Sequence, residues 1–267
     1  MFDLARLTDS GLVARIDYHE SLSSTSDRAL TLGAEGATEL PLLVLAEQQT
    51  AGRGRGSNRW FAAPGALTFS LVLEAPADRL PLRRWPQVAL AAGVAVADAL
   101  RSFSPAADLS LKWPNDVFLS GRKVCGILSE SVPGWRDRLV VGIGVNVNNR
   151  EQSLDDKESS SKTAKPIALI DHDGLERDLT KVLLEILDQF DRRWQELLHN
   201  QFIPIAAAYR ERCLLTGKTV RLSQTAGNEL VGVCQGIDDT GTLLLRTERG
   251  TQPIVSGTIL GWDDSAR

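Results

Sequence analysis

Two apolar runs, PLLVLAEQQ (41–49) and ALTFSLVLE (66–74), flank the nonapeptide GRGRGSNRW (52–60). Their juxtaposition constrains the fold more than any other feature of the chain. The first run reads as a buried strand, and the second alternates with the two-residue period of a strand. The nonapeptide holds three glycines, three arginines and a tryptophan, with no acid among them. The first strand therefore runs into a strongly cationic loop, although the 267-residue chain has a net charge of −4. A chain of that balance has no general footprint for nucleic acid or an acidic membrane, so an anion must be caught by a local cluster.

The remaining text supplies the other elements. Residues 24–35 read as a short helix that starts on Ser or Thr and stops at Gly36. Val88, Ala91, Ala92, Ala95, Ala99 and Phe103 keep helical spacing over 86–103, and Pro105 ends the run. Strands are expected at 109–113, 123–130 and 138–147, with a turn at Ser120-Gly121. The polar, serine-rich segment 151–165 is expected to be a mobile loop. A long amphipathic helix is expected from about 174 to 198, with Leu175 on its apolar face and Asp173 and Glu176 as a capping box. After 213 come four short alternating runs, separated by turn signals at 226–228, 239–241 and 249–250, as in a small β-barrel. The expectation is an α+β domain over 1–212 and a small all-β domain over 213–267.

Several chemistries drop out. The first ten residues, MFDLARLTDS, lack the apolar core of a signal peptide, and no apolar run reaches membrane-spanning length. The three cysteines, Cys125, Cys213 and Cys234, are odd in number and in no C-x-x-C spacing, which argues against a disulfide framework or a zinc site and for a reducing cytoplasm. The three histidines are scattered, and no G-x-S-x-G elbow, P-loop or complete G-x-G-x-x-G occurs. No metal site is expected from these residues. An enzyme made from them works by positioning and neutralising charge.

The arginines of the loop are suited to carboxylate or phosphate, and its glycines allow close backbone approach. Taken alone, the nonapeptide could equally be a solvated loop or an RNA contact. Four companions weigh against that: Gln49 at the mouth of the loop, KWPND (112–116), KVCGILSE (123–130) and GIGVNVN (142–148). KWPND alone could be a plain turn, Lys123 a solvated lysine, and Ser24 and Thr25 simple helix caps.

Together with SSTS (23–26) and QTAGRGRGSNRWFAAPGALTFSL (49–71), these segments follow in the order of the biotin protein ligase family, which the chain resembles over most of 23–148. The resemblance implies a class II aminoacyl-tRNA synthetase-like catalytic domain, with a mixed, largely antiparallel sheet and flanking helices, followed by a small SH3-like β-barrel. It implies that biotin and MgATP give biotinyl-5′-AMP and pyrophosphate, and that a lysine of a biotin carboxyl carrier domain then takes the biotin and releases AMP.

Carried over by position, Ser24, Thr25, Ser26 and Gln49 contact biotin's ureido ring, and Gly126 lets biotin lie against its strand. Arg53, Gly54 and Arg55 cover biotin and the acyl phosphate, and Lys123 points at the carboxylate. Arg55, Trp60, Asn115, Lys123 and Asn146 are nucleotide contacts, and Asp116 either helps hold Mg2+ or takes the acceptor lysine's proton. Two departures stand out. Ser26 replaces the family's Asn, and Cys125 stands where a small apolar residue is usual, so it is expected to pack as one. No helix-turn-helix domain precedes the catalytic text, so no DNA partner is expected, and homodimerisation stays open. A lipoate ligase on the same fold is the nearest rival.

Overall fold

The computed structural model describes residues 1–149, 166–224 and 229–264. The segment 151–165 and the turn at 226–228 therefore lie outside the described residues. Helix α1 (Leu4–Asp9) leads into strand β1 (Arg15–Leu22), helix α2 (Thr25–Ala34) and strands β2 (Leu42–Gln49) and β3 (Ala66–Glu74). Helix α3 (Pro86–Phe103) is followed by β4 (Leu109–Lys112), β5 (Asp116–Leu119), β6 (Arg122–Ser131) and β7 (Arg138–Asn146). These strands form one seven-stranded sheet in the order β1-β2-β3-β7-β6-β5-β4. Only the β1–β2 pair is parallel, so the sheet is mixed and largely antiparallel, as expected.

Alternation decides what each face carries. Leu43 and Leu45 of β2, Leu71 and Leu73 of β3, and Val141 and Ile143 of β7 join the main core with α3. The Ala-rich surface of α3 brings that helix close to the sheet, and α5 (Leu179–Leu198) packs behind it. On the other face Leu42, Val44, Val72 and Val140 form a smaller cluster beneath Ala29 and Leu32 of α2.

The long helix corrects the expected boundary. A short helix α4 (Leu169–Asp173) ends at Gly174, whose φ of +76° places it in the left-handed region. Helix α5 then starts at Leu179, capped by Asp178, whose Oδ1 accepts from the amides of Thr180 and Lys181. Leu175 is 61% exposed, not core. Asp173 forms no box with Glu176; it pairs with the buried Arg177 and accepts from Ser104 Oγ at 2.6 Å. Glycine broke the helix where periodicity alone carried it through.

Helix α6 (Phe202–Glu211) and strand β1 were absent from the expectation. Pro204 lies in the first turn of α6, where a missing N–H is tolerated. Strand β1, RIDYHESL, is a polar edge strand whose text does not alternate cleanly. Strands β8 (Lys218–Ser223), β9 (Glu229–Ile237), β10 (Leu243–Thr247), β11 (Gly250–Ile254) and β12 (Thr258–Asp264) build a five-stranded antiparallel sheet in the order β11-β10-β9-β8-β12. It docks on the first sheet's domain through Trp113 Nε1, which donates to Gly241 O, and Gln87 Nε2, which donates to Thr240 O. No described helix is long and apolar enough to cross a membrane.

Candidate active site

Beyond the amino end of α2 the second face of the large sheet lines a cleft. The positions that alternate outward there are Thr68 and Ser70 of β3, Gly126 and Leu128 of β6, and Gly142, Gly144 and Asn146 of β7. Register pairs Ser70 with Gly142, Thr68 with Gly144, and Gly126 with Gly144. Small and polar residues thus make a flat floor to a cleft of about 1200 Å³.

The amino end of α2 is one wall. Ser24 Oγ caps the helix by accepting from Asp27 N–H at 3.3 Å. Gln49 Oε1 accepts from the backbone N–H of Thr25 at 2.7 Å and from its hydroxyl at 3.1 Å. Ser70 Oγ donates to Thr25 Oγ1 at 2.9 Å and lies 3.2 Å from Ser26 Oγ. All three helix-start residues are buried, and a Cβ on Gly142 would collide with Ser26 Oγ. Ser70 was missed in the sequence, although Thr68 and Ser70 interrupting an otherwise apolar strand were the available signal.

The cationic segment is a folded hairpin. Arg53 bridges Arg59, Gly54 N–H donates to Asn58 O at 2.8 Å, and Trp60 N–H donates to Gly52 O at 2.9 Å. Arg53 grips Glu130 with two bonds of 2.9 and 2.7 Å, and its Nε lies 2.6 Å from Asp27 Oδ1 as an ion pair not aligned for a hydrogen bond. The bond to Glu130 raises the guanidinium's pKa further. Glu130 and Asp27 were missed because nothing in their local text marks them as anchors. Arg55 reaches the other way, to the carbonyl of Gly257 at the edge of the C-terminal sheet.

Trp60 lies on the floor itself. Its ring is 3.3 Å from where a Cβ on Gly126 would stand, and a Cβ on Gly144 would overlap it outright. Only glycine at 144 permits this approach. The indole Nε1 is buried with no hydrogen-bond partner.

The charged edge of the cleft comes from KWPND and β6. Lys123 Nζ stands 2.6 Å from Asp116 Oδ1, and Lys112 Nζ 3.2 Å from Asp116 Oδ2. Burial pushes the Asp116 carboxyl up, but Lys123 and then Lys112 outweigh it, and the group stays below the usual carboxylate range. Lys112, which carried no assigned role, also sits over the rings of Phe118 and Trp262, at 5.7 and 5.3 Å. Asn115 is tied to β6, donating to Ile127 O at 2.6 Å and accepting from Ile127 N–H at 2.9 Å. Asn146 is buried and accepts from Asn149 Nδ2. Cys125 is fully buried in the core, which raises its thiol pKa far above the ordinary value, so it packs as a small hydrophobe. Arg221, Thr258, Ile259 and Leu260 of the C-terminal sheet complete the wall.

Fold and site together define a class: a mixed-sheet domain whose cleft sets arginine and lysine side chains beside a glycine floor, an arrangement suited to an anionic ligand. Residues 18–148 match the biotin/lipoate A/B protein ligase family, and 216–260 match the biotin protein ligase C-terminal domain. The chain is 35% identical over 246 residues to the bifunctional ligase/repressor BirA of Bacillus subtilis, across 91% of this chain and 72% of that protein. It is 35% identical over 243 residues to the biotin–[acetyl-CoA-carboxylase] ligase of Paracoccus denitrificans, across 88% and 96%. The structure is similar to that of the biotin protein ligase from Aquifex aeolicus in complex with biotin and ATP, with a TM-score of 0.79, 28% identity and coverage of 94% and 99%. The chain belongs to the biotin protein ligase family.

Proposed function

We propose that the chain activates biotin with ATP to biotinyl-5′-AMP and then biotinylates one lysine of a biotin carboxyl carrier domain, in a reducing cytoplasm. The observation that carries this reading is the Lys123–Asp116–Lys112 cluster beside a glycine floor and an arginine hairpin. In the first step a biotin carboxylate oxygen attacks the α-phosphorus and the bond to pyrophosphate breaks. Two anions must meet, and cations fixed beforehand offset their repulsion. Lys123 serves the carboxylate and the phosphoryl oxygens, and Arg55 the phosphate. Trp60, Asn115 and Asn146 border the nucleotide.

In the second step the carrier lysine's amine attacks the acyl carbon, AMP leaves and a proton is shed. Asp116, held low by two lysines, is a weak base at neutral pH, so its part is to anchor Lys123 and Lys112. Among the described residues no group of three or more His, Cys, Asp or Glu could hold a metal. Both oxygens of Asp116 are already engaged, so the residues present do not fit a protein-held Mg2+. In this reading Mg2+ arrives on the nucleotide's phosphates.

The linked hydroxyls and amide of Thr25, Ser26, Ser70 and Gln49 favour a polar head group such as a ureido ring over lipoate's dithiolane. Trp60 lies on the glycine floor, so its ring and biotin share that surface. The division of labour that follows gives residues 1–212 the chemistry and 213–267 a wall of the cleft. Exchange of labelled pyrophosphate into ATP tests the activation step, and labelled biotin carried onto a carrier-domain lysine tests the transfer. Exchange should require biotin; exchange with lipoate alone, or with neither, would sink the reading.

A further inference from the structure

The ammonium of Lys112 is held by more than its carboxylate partner. Its Nζ lies 3.2 Å from Asp116 Oδ2, and the side chain is only 13% exposed. The same Nζ stands 5.7 Å from the centroid of the Phe118 ring and 5.3 Å from that of Trp262. The two rings meet edge to face, with centroids 6.0 Å apart and planes at 77°. A cation, a carboxylate and two aromatic rings thus form one compact group at the charged edge of the cleft.

Three of the four members come from a single hairpin. Across β4 and β5 the register pairs Lys112 with Asp116, and Ser110 with Phe118. Trp262 arrives from the C-terminal sheet, on β12, where it pairs with Val220 of β8. Lys112, Asp116 and Phe118 line the cleft, whereas Trp262 lies outside that lining and packs, partly buried, against the core. Its ring reaches the charged edge without facing the space where substrate would bind.

We propose that Trp262 is a positioning residue: its ring holds the Lys112 ammonium against Asp116 and, through Asp116, sets Lys123 for adenylation. The inference rests on the proposed activation of biotin and goes beyond it, because it gives the C-terminal sheet a part in the chemistry. An aromatic face attracts a cation most strongly where water is excluded. With the ring in place Lys112 engages Asp116 Oδ2 and leaves Oδ1 to Lys123, 2.6 Å away. One carboxylate then spaces two cations that repel each other, and the aromatic pair keeps Lys112 from turning to solvent. An aliphatic side chain at 262 fills space but lacks the ring quadrupole that makes this contact.

The test compares ring and non-ring variants of the full chain. Trp262→Leu and Trp262→Met keep an apolar side chain and remove the ring, whereas Trp262→Phe keeps a ring. Biotin-dependent exchange of labelled pyrophosphate into ATP is followed for each, with thermal unfolding alongside. Leucine and methionine should each lower kcat about tenfold, the scale of a desolvated cation–π contact. KM for biotin should stay within about twofold, because the ring does not touch that region. Phenylalanine should keep at least about half of the wild-type kcat. Equal kcat in all three variants, at the wild-type level or below it, would make Trp262 a packing residue and overturn the proposal. Loss of folded protein in both apolar variants would do the same, and so would a change confined to KM. A wild-type chain without biotin-dependent exchange would instead overturn the proposed function, and this inference with it.

Discussion

Arg55 Nη1 donates a 2.6 Å hydrogen bond to the carbonyl of Gly257, joining the tip of the cationic hairpin to the C-terminal sheet. Burial draws the Arg55 guanidinium below its usual pKa, and the nearby Asp116 charge opposes that. The residue is both a charge at the cleft and a clasp across it. Arg55→Met keeps much of the stem and removes both roles. Biotin-dependent pyrophosphate exchange should fall by about 10²- to 10³-fold in kcat/KM, and trypsin should cut faster at Arg53 and Arg59. Faster cutting with unchanged exchange would leave Arg55 only a clasp.

Asp116 separates two mechanisms. As an anchor for Lys123 and Lys112 it serves both half-reactions, whereas as a proton acceptor it serves only transfer to the carrier. Asp116→Asn should therefore lower pyrophosphate exchange and carrier biotinylation together, by about 10²-fold each on the scale of one preorganised electrostatic contact. Normal exchange with lost transfer would restore the base.

Gly144 is required by the ring that lies on it. Gly144→Val puts two methyl groups where Trp60 rests and where substrate must lie. Gly144 faces the cleft and not the main core, so the fold should survive, with Tm lowered by only a few degrees, about 1 kcal/mol of stability. Tryptophan emission should shift red as Trp60 is displaced, and biotin binding by calorimetry should disappear.

Asp173 and Arg177 make a prediction about acid stability. Arg177 is 8% exposed, and its partner's carboxyl is held far below the usual range, chiefly by the hydrogen bond from Arg177. Asp173→Asn strands a buried cation and should cost about 3 kcal/mol near pH 7. A depressed folded pKa contributes stability that is fully present above the unfolded value of about 3.9 and is lost as pH falls through the folded value. The gap between wild type and variant in urea unfolding should therefore narrow below about pH 4. A gap independent of pH would contradict the assignment.

The sequence alone determined the parts of this protein that are written locally. Apolar runs placed β3 at its observed bounds and β2, β6 and β7 to within a residue, because β2, β3 and β7 are buried along most of their length and β6 in part. The alternation of glycine with apolar residues in GIGVNV already carried the two faces of β7. Cys125 was expected to pack as a small hydrophobe because the family it resembles has a small apolar residue at that place, and it is buried in the core. Local text failed where it was weak or misleading: the polar edge strand β1, and the run through Leu175 that Gly174 and Asp178 interrupt.

What only the tertiary structure decided are the pairings between distant residues. Glu130 and Asp27 hold Arg53, Ser70 links Thr25 to Ser26, Lys112 shares Asp116 with Lys123, and Gly257 receives Arg55. Each depends on strand register or on the docking of one sheet against another domain. A hydrogen bond or ion pair has no sequence period, and its partner is fixed only when the backbone brings the two atoms within about 3 Å.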